Sequence, residues 1–232
     1  DRRLVAGVDV AQVVLGHVGA EPYVVDRDQR HDRRAGLREV ADVRAQVEGA
    51  KPGDPGACSR VALVGETLDE AREVMVFGDS GILKCSPPDR RPKWLATRRQ
   101  LVWPNGAVAQ IFSAESPDSL RGPQFDCVWC DELAKWREPE RTWDMLQFGL
   151  RLGTHPRVLV TTTPRSSALL RAILADAGTV KTSAPTSANA MNLAKGFLET
   201  ITRKYEGSRL GRQELDGEMM MDVEGALWSW AT

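Results

Sequence analysis

Residues 125–136 read Phe-Asp-Cys-Val-Trp-Cys-Asp-Glu-Leu-Ala-Lys-Trp, a short apolar run closing on two adjacent carboxylates with a Cys-x-x-Cys inside it. Three chemistries compete for such a stretch: a metal clip, a redox pair, or a buried strand whose end carries the acids. An extended backbone sends residues three apart to opposite faces of a sheet, so Cys127 and Cys130 cannot converge on one ion or bond to each other. A zinc site would also need a second pair of ligands, and His17, His31 and His155 are scattered without a spacing that supplies one. The expectation is two small core residues, reduced and free of metal, in a strand that ends at Asp131-Glu132.

The neighbours support a strand. From about residue 57 the chain alternates apolar runs with amphipathic stretches, the pattern of a mainly parallel sheet flanked by helices. Residues 60–65 and 157–163 read as buried strands, and 180–183 as a further one. Thr67 with Glu70 three positions on forms a capping box that opens a helix over 68–77. Residues 100–103 and 107–112 flank Pro104-Asn105-Gly106 and predict a β-hairpin. Helices are expected over 138–151 and 166–176, and the tail 193–221 reads as two helices broken near Gly207. Residues 1–38 have charge clusters and no period of 2 or 3.6, and no element is assigned to them. No internal repeat is apparent.

The chain has 232 residues, 42% hydrophobic and 27% charged, enough for a sizeable core. No apolar run approaches the roughly 18 to 20 residues of a membrane span, and the start lacks the pattern of a signal peptide, so a cytoplasmic protein is expected. A net charge of −1 argues against a surface that binds nucleic acid all over and leaves room for a local basic patch. Residues 89–99 hold such a patch: Arg90, Arg91, Lys93, Arg98 and Arg99 interleave with Trp94, as phosphate contact beside an aromatic would require, although a solvated loop around a packed tryptophan fits the same pattern. Four cysteines, Cys58, Cys85, Cys127 and Cys130, are too few and too irregular for a secreted disulfide framework, which suggests a reducing compartment.

Asp131 and Glu132 at the carboxyl end of a strand have the layout of a Walker B motif, in which the aspartate holds the Mg²⁺ of a nucleotide and the glutamate orients and deprotonates the attacking water. A solvated acidic pair in the first turn of a helix fits the same two residues. About thirty residues on, Thr161, Thr162 and Thr163 end a second apolar strand with hydroxyls that could sense a γ-phosphate, although a Thr-rich strand end followed by a proline turn fits the same residues. Upstream, Arg121 precedes Gly122 in Ser116-Pro-Asp-Ser-Leu-Arg-Gly122, a position from which a guanidinium could stabilise charge on a transferring phosphoryl group, in its own subunit or a neighbour's, although a surface arginine fits it equally.

Taken in order, Val61-Ala-Leu-Val-Gly-Glu-Thr67, Trp103-Pro-Asn-Gly106, Ser116 to Gly122, Cys127-Val-Trp-Cys-Asp-Glu-Leu133, Thr161-Thr-Thr-Pro-Arg165 and Arg212-Gln-Glu-Leu-Asp-Gly-Glu218 resemble the ATPase domain of the large terminase subunit of tailed bacteriophages, prophages and gene transfer agents. The resemblance covers about residues 40–230. It implies a P-loop NTPase-like fold of the ASCE type, a mainly parallel sheet flanked by helices with an inserted β-hairpin, incomplete at the N-terminus. It implies ATP and Mg²⁺ as cofactors, and double-stranded DNA, a portal protein and a small terminase subunit as partners, with a homo-oligomeric ring in the host cytoplasm. Under it Asp131 takes the Mg²⁺ role, Glu132 the catalytic base, Thr161 to Thr163 the coupling motif and Arg121 an arginine finger. The resemblance further implies that residues 39–232 are the ATPase domain and that the chain ends where the family's nuclease domain would begin, so no DNA-cleaving residue is assigned.

One motif of the family is missing. Its domain opens with Gly-x-x-x-x-Gly-Lys-Ser/Thr before a helix that here is 40–48, and the chain has His31-Asp-Arg-Arg-Ala-Gly-Leu-Arg-Glu39 instead. Without that backbone cradle and its lysine the β- and γ-phosphates lose their main contacts. Two other functions are therefore kept in view: an inactive pseudo-ATPase remnant of a prophage, and another P-loop DNA translocase or helicase.

Overall fold

The computed structural model describes residues 13–18, 58–153, 156–163, 165–183, 185–187, 190, 193 and 195–216. Eight strands form one sheet: β1 Val13–Val18, β2 Arg60–Gly65, β3 Lys93–Leu95, β4 Gln100–Val102, β5 Val108–Ser113, β6 Cys127–Asp131, β7 Arg157–Thr162 and β8 Thr179–Ser183. Their order across the sheet is β3-β4-β5-β2-β6-β7-β1-β8. The centre, β5-β2-β6-β7, is parallel throughout. Because β6 is buried on both faces, its sequence is a continuous apolar run rather than an alternating one.

The β3-β4-β5 edge is antiparallel and contains the hairpin expected from Pro104-Asn105-Gly106. Gly106 takes φ 90°, a value open to glycine, and the Trp103 N–H donates to the Ala107 carbonyl at 2.9 Å to close the turn.

The helices lie near their expected places: Pro139–Gly149, Ala168–Ala175, Lys195–Tyr205 and Arg209–Glu214, the last two parted at Gly207. The helix after β2 differs from expectation. It is α-helical only at Leu68–Glu70, where the Thr67 hydroxyl accepts from the Glu70 N–H, and then winds as a π-helix over Ala71–Val76. Gly65 permits the close approach here, since a Cβ at that position would stand 3.0 Å from the Ala71 nitrogen. The expected helix at 40–48 lies outside the described residues.

Two apolar layers cover the sheet. Val64, Val128, Cys130, Val160, Leu146 and Leu170 belong to one, and Val61, Leu63, Met75, Leu101, Cys127 and Trp129 to the other. Each fully buried Leu or Met contributes roughly 1.5–3 kcal/mol by leaving water. Cys127 and Cys130 thus face opposite layers, as strand geometry requires. Cys130 is a free, buried thiol, and burial pushes its pKa up, with the adjacent Asp131 adding to the rise.

Cys127 corrects the expectation of two reduced cysteines: it is bonded to Cys58, with 5.6 Å between their Cα atoms. Cys130, the neighbour in sequence, is indeed out of reach. The parallel pairing of β2 with β6 brings the start of each strand together and supplies the partner from 69 residues away. Beside the bond, buried Asp126 accepts from the Ser59 N–H (2.8 Å), the Ser59 hydroxyl (2.6 Å) and the Arg60 N–H (2.9 Å), fixing where β2 begins. Thiol titration of the denatured, unreduced chain should find two free thiols, Cys85 and Cys130. Reduction should lower stability by about 4 kcal/mol, the chain-entropy value for a loop of this length. Four free thiols in the chain as purified, with no effect of reductant on its denaturation midpoint, would refute the bond.

In the segment 1–38, to which the sequence assigns no element, Val13–Val18 forms β1 between β7 and β8. It runs antiparallel to both, so β7 and β8 run parallel to each other across a gap one strand wide.

Candidate nucleotide site

The carboxyl ends of β2, β6 and β7 share one rim of the sheet. Asp131 and Thr161 are register partners on β6 and β7. The Thr161 hydroxyl is 2.7 Å from Asp131 Oδ1 and donates to it. The next residue, Glu132, takes φ 51°, ψ 45°, the left-handed region that costs a non-glycine residue roughly 1 kcal/mol or more. This turn ends the strand at once, starts the 3-10 turn Leu133–Lys135, and carries the Glu132 carboxylate toward β7, where Oε2 accepts from the Thr163 N–H at 3.3 Å. Thr162 accepts from the Ala134 N–H at 3.0 Å and so ties the same turn to β7. The three threonines are buried, each engaged with the acidic corner or its turn.

Lys135 closes the corner from the other side, with Nζ 2.9 Å from Glu70 Oε1 and 3.4 Å from Glu66 Oε2. The Glu70 contact, more than the opposing desolvation, holds its pKa above the usual lysine value. Burial pushes Asp131 up from the ordinary carboxylate range against the Thr161 hydrogen bond, while Glu70 pushes it further up and Lys135 holds it down. Burial likewise raises Glu132, opposed first by the Thr163 N–H; Asp131 adds to the rise, and Lys135 and Arg165 counter it.

These directions make a stability prediction. A carboxyl whose folded pKa lies above its unfolded value binds more protons folded than unfolded between the two, so stability falls as pH rises through that window. Both acids therefore cost stability at neutral pH. Asp131→Asn and Glu132→Gln should each raise Tm at pH 7, with the gain shrinking as pH is lowered through the carboxylate range. A pH-independent loss of Tm in both variants would contradict it.

The acidic corner suits Mg²⁺, a hard cation that takes oxygen ligands and is commonly held through one or two carboxylates. Asp131 Oδ1 is occupied by Thr161, and among the described residues Oδ2 receives no hydrogen bond. Asp131, with Glu132 beside it, would hold the ion, which would supply charge neutralisation to phosphate oxygens.

Arg121 is not gathered into this corner. It is exposed, and its guanidinium lies 3.7 Å from the Met145 sulfur on the Pro139–Gly149 helix. The basic residues stand at the far β3-β4 edge. Arg90 pairs with its neighbour Asp89 and Arg91 donates to the Ser86 carbonyl, whereas Lys93, Arg98 and Arg99 are exposed with no partner among the described residues. Trp94 packs edge-on against Phe77 at 5.8 Å, which satisfies the packed-tryptophan reading and leaves those three cations in solvent.

Glu66, Glu70 and Lys135 join the corner without having been expected there from sequence. A signal for the first exists, since Val61-Ala-Leu-Val-Gly-Glu66 shows the same apolar strand running into an acid. For Lys135, only the fold shows that a 3-10 turn brings it back over β2.

The chain is an α/β protein whose sheet has a parallel centre, with adjacent acids at one strand's carboxyl end and hydroxyls at the end of the neighbouring strand. The family is given by comparison: the profile described as terminase large subunit, T4likevirus-type, N-terminal, matches residues 41–231, and the chain belongs to that family. Among solved structures it is similar to the large terminase ATPase domain of Thermus phage P74-26, at 17% identity and TM-score 0.47, covering 83% of this chain and 86% of that one. A mutant form of the same phage domain matches at 16% identity and TM-score 0.42, with the same coverage. No curated protein matches. Among the described residues no helix is long and apolar enough to cross a membrane.

Proposed function

We propose that this chain is the ATPase domain of a viral DNA-packaging motor, coupling ATP hydrolysis to movement of double-stranded DNA into a capsid. The observation that carries the reading is the Asp131–Thr161 pair, with Glu132 turned toward Thr163 at the same rim. In this reading Asp131 would hold Mg²⁺, which would neutralise charge on phosphate oxygens, and Glu132 would orient the attacking water and take its proton. A base pKa raised by burial is suited to that task near neutral pH. Loss of the γ-phosphate is sensed by Thr161 to Thr163, which are bonded to the same corner. Arg121 is exposed and turned to Met145, which favours its acting on a neighbouring subunit's nucleotide in a ring. The portal protein and small terminase subunit are the partners that family membership suggests.

The phosphate cradle is the part that does not fit. We infer that residues 1–38 are out of frame with the domain that follows. They lack periodicity, while every later motif stays in order from Val61 to Arg165. β1 supports the same inference, because it leaves the sheet at the end away from Asp131, and a strand leading into a phosphate loop must leave beside it. The competing reading, a packaging-motor remnant without chemistry, is favoured by the missing loop alone.

The DNA contacts are assigned to the β3-β4 edge, chiefly Lys93, Arg98 and Arg99, with Arg90 and Arg91 secondary because their guanidinium groups are already engaged. Replacing Lys93, Arg98 and Arg99 together with alanine should weaken binding to duplex DNA of any sequence. It should also reduce the steepness of log K against log salt by about 2 to 3, near 0.9 for each phosphate that is no longer neutralised. An unchanged salt dependence would remove this edge from the DNA path.

A further inference from the structure

Asp131 is held from both faces of the sheet by tryptophans. Trp129 lies two residues earlier on β6, on the same face as Asp131, and its indole N–H donates to the Thr161 hydroxyl at 3.0 Å. Trp136, in the opposite apolar layer, donates its indole N–H to the Asp131 carbonyl at 3.0 Å. Both rings are buried.

The direction of the first chain follows from the donor inventory. An indole nitrogen only donates, so Thr161 must meet it with a lone pair. The single hydroxyl proton is then available for Asp131 Oδ1 at 2.7 Å or the Cys130 carbonyl at 3.3 Å, and the shorter, charge-assisted bond takes it. The carboxylate is thereby held by Oδ1, with Oδ2 left for a ligand. Buried tryptophans usually find a hydrogen-bond partner, so the bonds taken alone are compatible with packing. Trp103 shows that packing in this protein does not demand one: it is 4% exposed, and its indole N–H has no partner among the described residues.

We propose that Trp129 and Trp136 are positioning residues for Asp131, Trp129 orienting its carboxylate through the Thr161 hydroxyl and Trp136 fixing its carbonyl. The inference deepens the proposed nucleotide site and rests on that reading for the metal that Asp131 would hold.

The test uses the full chain labelled with ¹⁵N, whose indole N–H signals are assigned by Trp129→Phe and Trp136→Phe. Thr161→Val should move the Trp129 signal upfield and speed its hydrogen exchange about fivefold, the effect of losing one buried hydrogen bond. Thr161→Ser should restore both, and an unmoved Trp103 signal reports that the fold is intact. A Trp129 signal identical in wild type and Thr161→Val overturns the relay. In a second arm, Mn²⁺ alone is titrated in. It should broaden the Trp129 and Trp136 signals before that of Trp103, and Asp131→Ala should abolish the difference. Trp129→Phe should raise the Mn²⁺ needed to broaden Trp136 severalfold, while Thr161→Ser leaves it near wild type. If Trp129→Phe leaves that titration unchanged, the indoles are packing groups and the proposal fails. If no selective broadening occurs in wild type while the Thr161→Val shift is present, the metal reading fails and the relay stands.

Discussion

Purified as it stands, the chain should bind Mg·ATP about three orders of magnitude or more below a relative with an intact phosphate loop. The loop's backbone N–H groups and lysine make charge-assisted bonds to the phosphates, each worth roughly 1.5–3 kcal/mol, and losing two or three removes about 4–6 kcal/mol. At 1.4 kcal/mol per decade this is about 10³ to 10⁴ in affinity. The acidic corner cannot compensate. Lys135 is already engaged by Glu66 and Glu70, Arg165 faces Glu132, and the nearby acids repel a polyphosphate unless Mg²⁺ intervenes. Calorimetry with Mg·ATP is the measurement. Tight binding that survives Glu132→Gln, with turnover lost in that variant, would mean that another segment cradles the phosphates.

The sheet and its acidic rim are legible in the sequence because each signal is local. Residues 60–65, 125–130 and 157–163 are largely apolar runs of strand length, each with polar residues at its end, and that pattern locates both a strand and the polar rim it reaches. The capping box at Thr67 and the Pro-Asn-Gly turn are likewise read within a few residues. What escapes such a reading depends on pairs far apart in sequence. Cys58 meets Cys127 only through the parallel register of β2 and β6, and Lys135 meets Glu66 only because Glu132 adopts a left-handed turn. The π-winding at Ala71–Val76 escapes for a related reason: its spacing differs from an α-helix by about one residue per turn, too little to register in six residues. The indoles of Trp129 and Trp136 are core groups. Only their nitrogen partners distinguish them from Trp103.

Another frame of the same DNA, entering near Val43, should encode an apolar strand followed by Gly-x-x-x-x-Gly-Lys-Ser/Thr, and the protein so restored should hydrolyse ATP. The sheet itself dictates what that strand must do. β7 and β8 run parallel, with Thr162 and Ser183 level at the rim because both pair with Val13. A strand parallel to them in the place β1 takes would end at the same rim, next to β7 and one strand removed from Asp131. A loop emerging there would present its N–H groups to phosphates held by the ion at Asp131, with the following helix adding its dipole. In the restored protein, Glu132→Gln should lower kcat by about 10² to 10⁴ while sparing nucleotide affinity, the effect of removing a general base that is not a main binding group. Nucleotide sequence upstream of the codon for Val40, read in all frames, decides the first step without any protein. If no frame encodes the loop, the frame inference fails and the chain is a packaging-motor remnant. If the loop is found and Glu132→Gln leaves kcat unchanged, the base lies elsewhere, and Glu66 and Glu70, the other two carboxylates at the corner, become the residues to replace.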